Sequence, residues 1–208
     1  MNDKTNIFNI ELNNIPLINI RMEFNNTYQI LCSTKFYHQI KNNSESIDLT
    51  YLQWYTRSGS LLSLILQRAI TGIESYICGA TYYEGGVRGL IHRHNEKYIK
   101  NPFLLKGHST ADNYYNKLPG LLHDDLRLKI MDKKLWKKTL KYYREIRNPI
   151  FHGYEISKSE LKNIYEAFVL MAEIYEWIDL WHPPENLVNG GSIFQDIKKK
   201  FKPEWLKL

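Results

Sequence analysis

The spacing of apolar residues divides the chain into an extended N-terminal part and a helical remainder. Between residues 7 and 32, apolar side chains recur at about every second position, and Asn-Asn pairs at 13–14 and 25–26 interrupt the series as turns would. Alternation with a period of two is typical of strands that bury one face. The pattern therefore predicts two or three short antiparallel strands, which form a small β-hairpin element in the N-terminal part.

From Leu49 onward the spacing of apolar residues is that of helices. Apolar residues between 61 and 77 cover one wide face of a helix, which is predicted to end at Gly79. The glycine-rich stretch 82–89 matches neither a P-loop nor a dinucleotide-binding fingerprint. It is predicted to be a flexible loop.

Two further long helices follow in the second half of the chain. One is predicted from about Asp124 to Arg147, because carboxylates at its start favour the helix dipole. The last helix begins after a capping box at 157–160 and stops at Pro183. The fold class is therefore mainly α. The predicted units are an N-terminal appendage at 1–45, a helical bundle at 46–184 and a C-terminal tail at 185–208, in which Trp205 is a candidate to dock against the bundle.

Composition narrows the class of protein only a little. The apolar and charged fractions are those of an ordinary soluble globular protein, and the net charge of +6 mildly favours a polyanionic partner. Cys32 and Cys78 are too few for a disulfide framework and are expected as reduced thiols. The polar N-terminus lacks a signal-peptide core, and no apolar stretch is long enough to span a membrane. We therefore expect a cytoplasmic protein.

Candidate chemistry is concentrated in the hexapeptide RNPIFH at 147–152. The fork of Arg147 matches phosphate oxygens, and His152 supplies an imidazole, a group suited to proton transfer. Asn148 adds a polar amide between them. Pro149 has no N–H, and its ring collides with the carbonyl four residues earlier, so the helix is predicted to kink or end there. The arginine and the histidine would then converge on a sharp elbow.

A basic face of the preceding helix leads toward this hexapeptide. On a helical wheel, Leu140 and its apolar neighbours occupy one face, and Asn148 and His152 align with the opposite, lysine-rich face. The candidate RNA contacts on that face are Lys134, Lys138, Lys141 and Arg144. The alternative is that these residues are ordinary solubilising charge on an exposed helix.

The pattern Arg147-Asn148-x-x-x-His152 resembles the Arg-x(4–6)-His motif of the HEPN superfamily (higher eukaryotes and prokaryotes nucleotide-binding domain). In that family the motif ends a long helix of a mostly helical bundle, and another long helix follows it. Residues from about 50 to 182 fit this arrangement. The resemblance implies a HEPN-like helical bundle and a metal-independent endoribonuclease that needs no cofactor. Such enzymes occur in toxin–antitoxin, abortive-infection and CRISPR-associated systems.

The resemblance also implies a role for each motif residue. His152 would exchange a proton with the ribose 2′-hydroxyl or the leaving 5′-oxygen, Arg147 would hold the scissile phosphate, and Asn148 would orient the phosphate or the imidazole. Family members act as homodimers with two motif copies facing each other, so a second subunit would complete the active site. A toxin or antiphage effector of this type would also have an antitoxin or sensor protein as a possible partner.

Several alternatives remain open on the sequence alone. In the first, the chain is an inactive member of the family that serves as a dimerisation, nucleotide-binding or regulatory module. In another, His152 is a packed histidine, and Arg147 pairs with Glu145 or Glu155. A small-molecule enzyme that uses the loop at 81–110 ranks third. The spacing of the histidines at 92, 94, 108 and 123 matches no common zinc pattern.

Overall fold

The structure is a computed structural model that describes residues 15–33, 36–38, 41, 58–87, 98–99, 102, 105, 109–152, 161–183, 194 and 197–207. Within these ranges the chain is mainly helical and contains no strand. The helices are α1 (Ile15–Cys32), α2 (Ser58–Val87), α3 (Thr110–Asp112), α4 (Leu118–Gly120), α5 (Leu128–Met131), α6 (Lys133–Tyr142), α7 (Asn148–Phe151) and α8 (Leu161–Asp179). Two π-helical turns, Asn113–Lys117 and Tyr143–Arg147, and two 3-10 turns, Asp124–Leu126 and Glu204–Lys207, lie between or after them, and residues 36–38 and 197–200 are helical as well.

Helix α1 occupies the region where strands were predicted, so that prediction is wrong for residues 15–32. Leu17, Phe24 and Leu31 are buried and stand seven residues apart, which places them on one face of a helix. Met22 and Ile30 completed the apparent alternation, yet they are 57% and 51% exposed. The exposed apolar residues of this helix therefore produced the alternating pattern that is typical of a strand. The strand predicted within residues 7–12 lies outside the described residues.

Helix α2 does not stop at Gly79 but continues to Val87, which also overturns the loop predicted at 82–87. A Cβ atom at Gly79 would lie 2.7 Å from Cδ2 of Leu17. The glycine therefore permits close packing of α1 on α2 and does not terminate the helix. Residues 88–89 of the predicted loop lie outside the described part of the chain.

The helix predicted from Asp124 begins later, at Lys133. Its N-cap is Asp132, whose carboxylate accepts hydrogen bonds from the backbone N–H groups of Lys134 (2.9 Å) and Leu135 (2.8 Å). The residues from Asp124 to Met131 form a 3-10 turn and the short helix α5 instead.

The core lies between α1, α2 and α8, and the C-terminal stretch contributes to it. Phe24 stacks on Phe168 with ring centroids 4.5 Å apart, and Phe194 stacks on Tyr175 at 4.7 Å. The indole of Trp205 is fully buried and donates a hydrogen bond to the carbonyl of Leu31 at 2.9 Å. The predicted docking of this tryptophan is confirmed, as is the last helix, which ends four residues before Pro183.

Candidate functional site

The hexapeptide at 147–152 continues the helix, and the predicted elbow is absent. The π turn Tyr143–Arg147 comes directly before it, and the N–H of Asn148 bonds to the carbonyl of Tyr143, five residues back. The helix then runs to Phe151. It ends where the N–H of His152 bonds to the carbonyls of Asn148 and Pro149, both at 3.0 Å.

A π turn accommodates a proline inside a helix. The ring of Pro149 would collide with the carbonyl four residues earlier in a regular α-helix, and the wider turn relieves that contact. The other π turn, Asn113–Lys117, stands in the same relation to Pro119, because each turn ends two residues before its proline. Each adds about one residue to its turn, so later residues shift in azimuth by about 100°. The helical wheel placed Asn148 and His152 on the lysine-rich face. The extra residue of the π turn rotates both of them away from that face by about one residue position.

The side chain of Arg147 points into the protein and pairs with Glu74 of α2. Its Nε and Nη2 atoms lie 3.2 and 3.4 Å from the two carboxylate oxygens, and the side chain is 13% exposed. The guanidinium carbon also lies 4.0 Å from the ring centroid of Phe151 and 5.4 Å from that of Tyr143. Of the pairings predicted from sequence, Glu145 contacts Arg144 and Lys141 instead, and the residue at 155 lies outside the described part.

Glu74 organises a buried polar cluster that the sequence did not reveal. Its carboxylate accepts a hydrogen bond of 2.6 Å from the hydroxyl of Tyr143, and Tyr115 meets the Tyr143 ring edge-on at 5.7 Å. Glu74 itself is only 6% exposed. The available signal was a lone carboxylate on the apolar face of a helix, between Ile73 and Ile77. Such a residue needs a buried partner.

The electrostatics of this cluster keep both donors protonated. Burial, then the neighbouring Tyr115 and Glu74, raise the pKa of Tyr143 well above its usual value. Burial alone would lower the pKa of Arg147, but Glu74 and the phenols of Tyr143 and Tyr142 outweigh this, and the pKa lies above its usual value. A charged guanidinium is thus held against a carboxylate in a low-dielectric setting.

His152 and Asn148 have the opposite environment, since both side chains are exposed. The imidazole makes no hydrogen bond or ion pair with any described residue, which disfavours the packed-histidine alternative. No hydrogen bond joins it to Arg147 among these residues either. The structure therefore places the arginine inward and the histidine outward at the same helix end.

The side chains that were predicted to contact RNA are less available than the helical wheel indicated, because several of them form ion pairs. Lys138 reaches across to α8 and binds both carboxylate oxygens of Glu173, at 2.7 and 2.9 Å. Lys141 and Arg144 both contact Glu145, at 3.7 and 2.8 Å. Lys134 is exposed. Three of the four candidate cations therefore already have an acidic neighbour.

Histidines do not gather into a metal site within the described ranges. No group of three or more His, Cys, Asp or Glu side chains there is placed to hold a metal ion. His123 caps the turn after it by accepting a hydrogen bond from the N–H of Asp125 at 3.3 Å. The histidines at 92, 94 and 108 lie outside the described part.

Among the described helices, none combines the length and the apolar character needed to cross a membrane. Comparison of the chain with protein-family models, with curated proteins and with solved structures found no match. The geometry of the residues themselves therefore has to support any functional conclusion.

Proposed function

We propose that this chain is a metal-independent endoribonuclease of the HEPN type, with Arg147 and His152 as catalytic residues. The observation that supports the proposal is that these two residues lie at the same helix end but in different environments. Arg147 is fixed by Glu74, while His152 is exposed and free of intramolecular hydrogen bonds within the described residues. A fixed cation suits phosphate binding, and a free imidazole suits proton transfer.

The proposed reaction is attack of the ribose 2′-oxygen on the adjacent phosphorus. A neutral imidazole takes the 2′-hydroxyl proton while the bond from the 2′-oxygen to phosphorus forms. The bond from phosphorus to the 5′-oxygen breaks, and an imidazolium gives that oxygen a proton. The products are a 2′,3′-cyclic phosphate and a 5′-hydroxyl. The guanidinium of Arg147 stabilises the charge on the phosphate oxygens, and Asn148 orients the phosphate.

Because one chain has one such histidine, we place the complete site in a homodimer with two motif copies. Leu140 and Phe151 support this arrangement, because they are large apolar residues that are 40% and 36% exposed beside the motif. Leu140 was predicted to pack into the bundle, so its exposure is a correction to the wheel. Exposed apolar residues next to a site are typical of an interface.

In this proposal the RNA backbone lies along α6, where Lys134 and Lys141 are exposed, and along the π turn that follows it, where Arg144 is exposed. Lys138 contributes less, because Glu173 already occupies it. The physiological setting we propose is a cytoplasmic toxin or antiphage effector, with an antitoxin or sensor protein as its regulator.

A second candidate function is a non-catalytic interaction module, and one observation favours it. Arg147 is mostly buried in an ion pair, which is also what a purely structural arginine would do. Substitution of His152 separates the two candidates better than substitution of Arg147, because the exposed imidazole contributes little to the fold.

The test is RNA cleavage in EDTA by the parent protein, by His152→Ala and by a control, His38→Ala, which removes another exposed histidine. We expect His152→Ala to keep its melting temperature and to lose at least about a hundredfold in cleavage rate. The control should match the parent, and the products should carry cyclic phosphate ends. Undiminished cleavage by His152→Ala, or cleavage that EDTA abolishes, would contradict the proposal.

A further inference from the structure

A groove of about 280 Å³ lies beside the candidate site, between α8 and the wall formed by α6 and the second π turn. Glu145 and Ile146 belong to this wall and directly precede Arg147 in the chain. The floor is apolar and includes Val169 and Leu170 of α8. The groove is large enough for a small planar ligand and is open to solvent at its rim.

The rim of the groove carries carboxylates whose charge is balanced. Glu173 binds Lys138 at 2.7 Å, and Glu145 binds Arg144 at 2.8 Å. Glu166 lies 3.9 Å from Lys162. Each carboxylate therefore has a cation beside it, so the rim does not repel a polyanion. The side chain of Glu166 is still 51% exposed, so its carboxylate can accept hydrogen bonds from a ligand.

Two tyrosines give the groove an aromatic lining. Tyr142 is 5% exposed and forms part of the inner wall. Tyr165 lies on the α8 side, and its ring is fixed by stacking on Phe201 at 5.2 Å with an interplanar angle of 16°. A fixed aromatic ring loses little conformational entropy when a second planar group contacts it.

We propose that this groove binds one unstacked base of single-stranded RNA, next to the phosphate assigned to Arg147. The choice of RNA rests on the proposed function. Bases of single-stranded RNA bind by stacking on aromatic rings and by hydrogen bonds at their edges, and the groove offers both. Guanine is the base that fits best, because its Watson–Crick edge presents two adjacent N–H donors to one carboxylate, whereas uracil presents one.

The test compares the binding of fluorescein-labelled oligouridine with that of the same oligomer carrying a single central guanosine. The His152→Ala protein is used in EDTA so that the RNA stays intact, and fluorescence anisotropy gives the affinities. We expect the guanosine oligomer to bind about tenfold more tightly. Adenosine and cytidine oligomers should fall between the two.

Two further substitutions, each made in the His152→Ala protein, test whether the groove causes the preference for the guanosine oligomer. Glu166→Gln removes a carboxylate from the rim, and Val169→Phe fills the floor. Each should reduce the tenfold difference to less than about twofold. The matched control is Glu23→Gln on α1, whose side chain is 41% exposed and likewise pairs with a surface cation, Arg68. It should keep the preference. If Val169→Phe fails to fold, Glu166→Gln decides alone.

Equal affinity for all oligomers, a preference that survives both substitutions, or no RNA binding at all would overturn the assignment of the groove. Cleavage by the parent protein without any base preference would overturn the groove and leave the proposed function standing. A guanosine preference that depends on Glu166, in a protein that cleaves nothing, would support the groove and refute the proposed function.

Discussion

Arg21 and Arg147 bind carboxylates in different ways. Arg21 of α1 contacts both oxygens of Asp179 at 2.5 and 3.0 Å and also donates to the hydroxyl of Tyr76 at 2.9 Å. Arg147 contacts Glu74 only at 3.2 and 3.4 Å. The first pair is short and joins two core helices. The second is longer, and the guanidinium keeps N–H groups that can bind another ligand.

The difference suggests what each arginine is for. Arg21 is 6% exposed and lies 4.8 Å from the ring centroid of Phe194, so packing and charge fix it together. Arg147 stands at a helix end beside an exposed histidine, with 13% of its side chain exposed. We therefore infer that Arg21 serves the fold and that Arg147 is held in place for binding.

Replacement of Arg21 should have the largest effect on stability. Arg21→Ala leaves Asp179 buried without its partner, and we expect the free energy of unfolding to fall by about 3–5 kcal/mol. Urea denaturation measures this loss. The control Arg68→Ala removes a 74% exposed arginine and should cost less than about 1 kcal/mol. Equal losses in the two variants would show that the tight geometry at Asp179 contributes nothing special.

Arg147→Lys should affect catalysis more than stability. Lysine keeps the positive charge near Glu74 but loses the planar fork, so we expect RNA cleavage to slow by about a hundredfold. Single-turnover cleavage assays measure the rate, and urea denaturation should show a smaller loss than for Arg21→Ala. A variant that is clearly less stable yet cleaves at the parent rate would make Arg147 a structural residue like Arg21.

Tyr143→Phe tests how the stability of the cluster around Arg147 and Glu74 depends on pH. At neutral pH the loss of the hydrogen bond to Glu74 should cost about 1–3 kcal/mol. Burial, with Tyr115 and Glu74 adding to it, raises the pKa of Tyr143, so the folded protein keeps this proton above pH 10 while the unfolded chain releases it. The parent protein therefore loses stability as pH rises from about 10. The variant should lose less over that range in urea titrations; an unchanged slope would contradict the raised pKa.

Lys138→Ala should have the smallest effect. Its contact with Glu173 joins α6 to α8, but the two side chains are 46% and 22% exposed. Solvent screens such a pair, and we expect a loss below about 1 kcal/mol that disappears at high salt. Thermal melting at low and high salt measures it. A loss as large as that of Arg21→Ala would mean that burial is not what separates these ion pairs.

The sequence predicted the helical class and the last helix, because long apolar stripes with a clear stop leave few alternatives. It failed at α1, where Met22 and Ile30 are exposed apolar residues that imitate a strand. It also misjudged Gly79, since a glycine that permits close packing looks the same in sequence as one that ends a helix.

The sequence indicated where the three candidate residues lie, but not the geometry of their side chains. Arg147, Asn148 and His152 do stand at a helix end, as their spacing indicated. The partner of the arginine could not be predicted, because Glu74 is 73 residues away in the chain. The π turn was equally hidden, since Pro149 signals only that a regular helix cannot continue. A helix can accommodate a proline as well as break at one.

The π turn at Tyr143–Arg147 has a consequence for how this stretch tolerates changes in length. The turn contains one more residue than an α-helical turn would, and that residue sets the rotational phase of everything up to His152. Deletion of a single codon there would remove the extra residue, and the ring of Pro149 would then collide with the carbonyl four residues earlier, so the helix would have to kink before the hexapeptide. The catalytic candidates would then face another direction, while α6 kept its own contacts. Deletion of the exposed residue Arg144 would therefore disturb the candidate site more than many substitutions within residues 143–147.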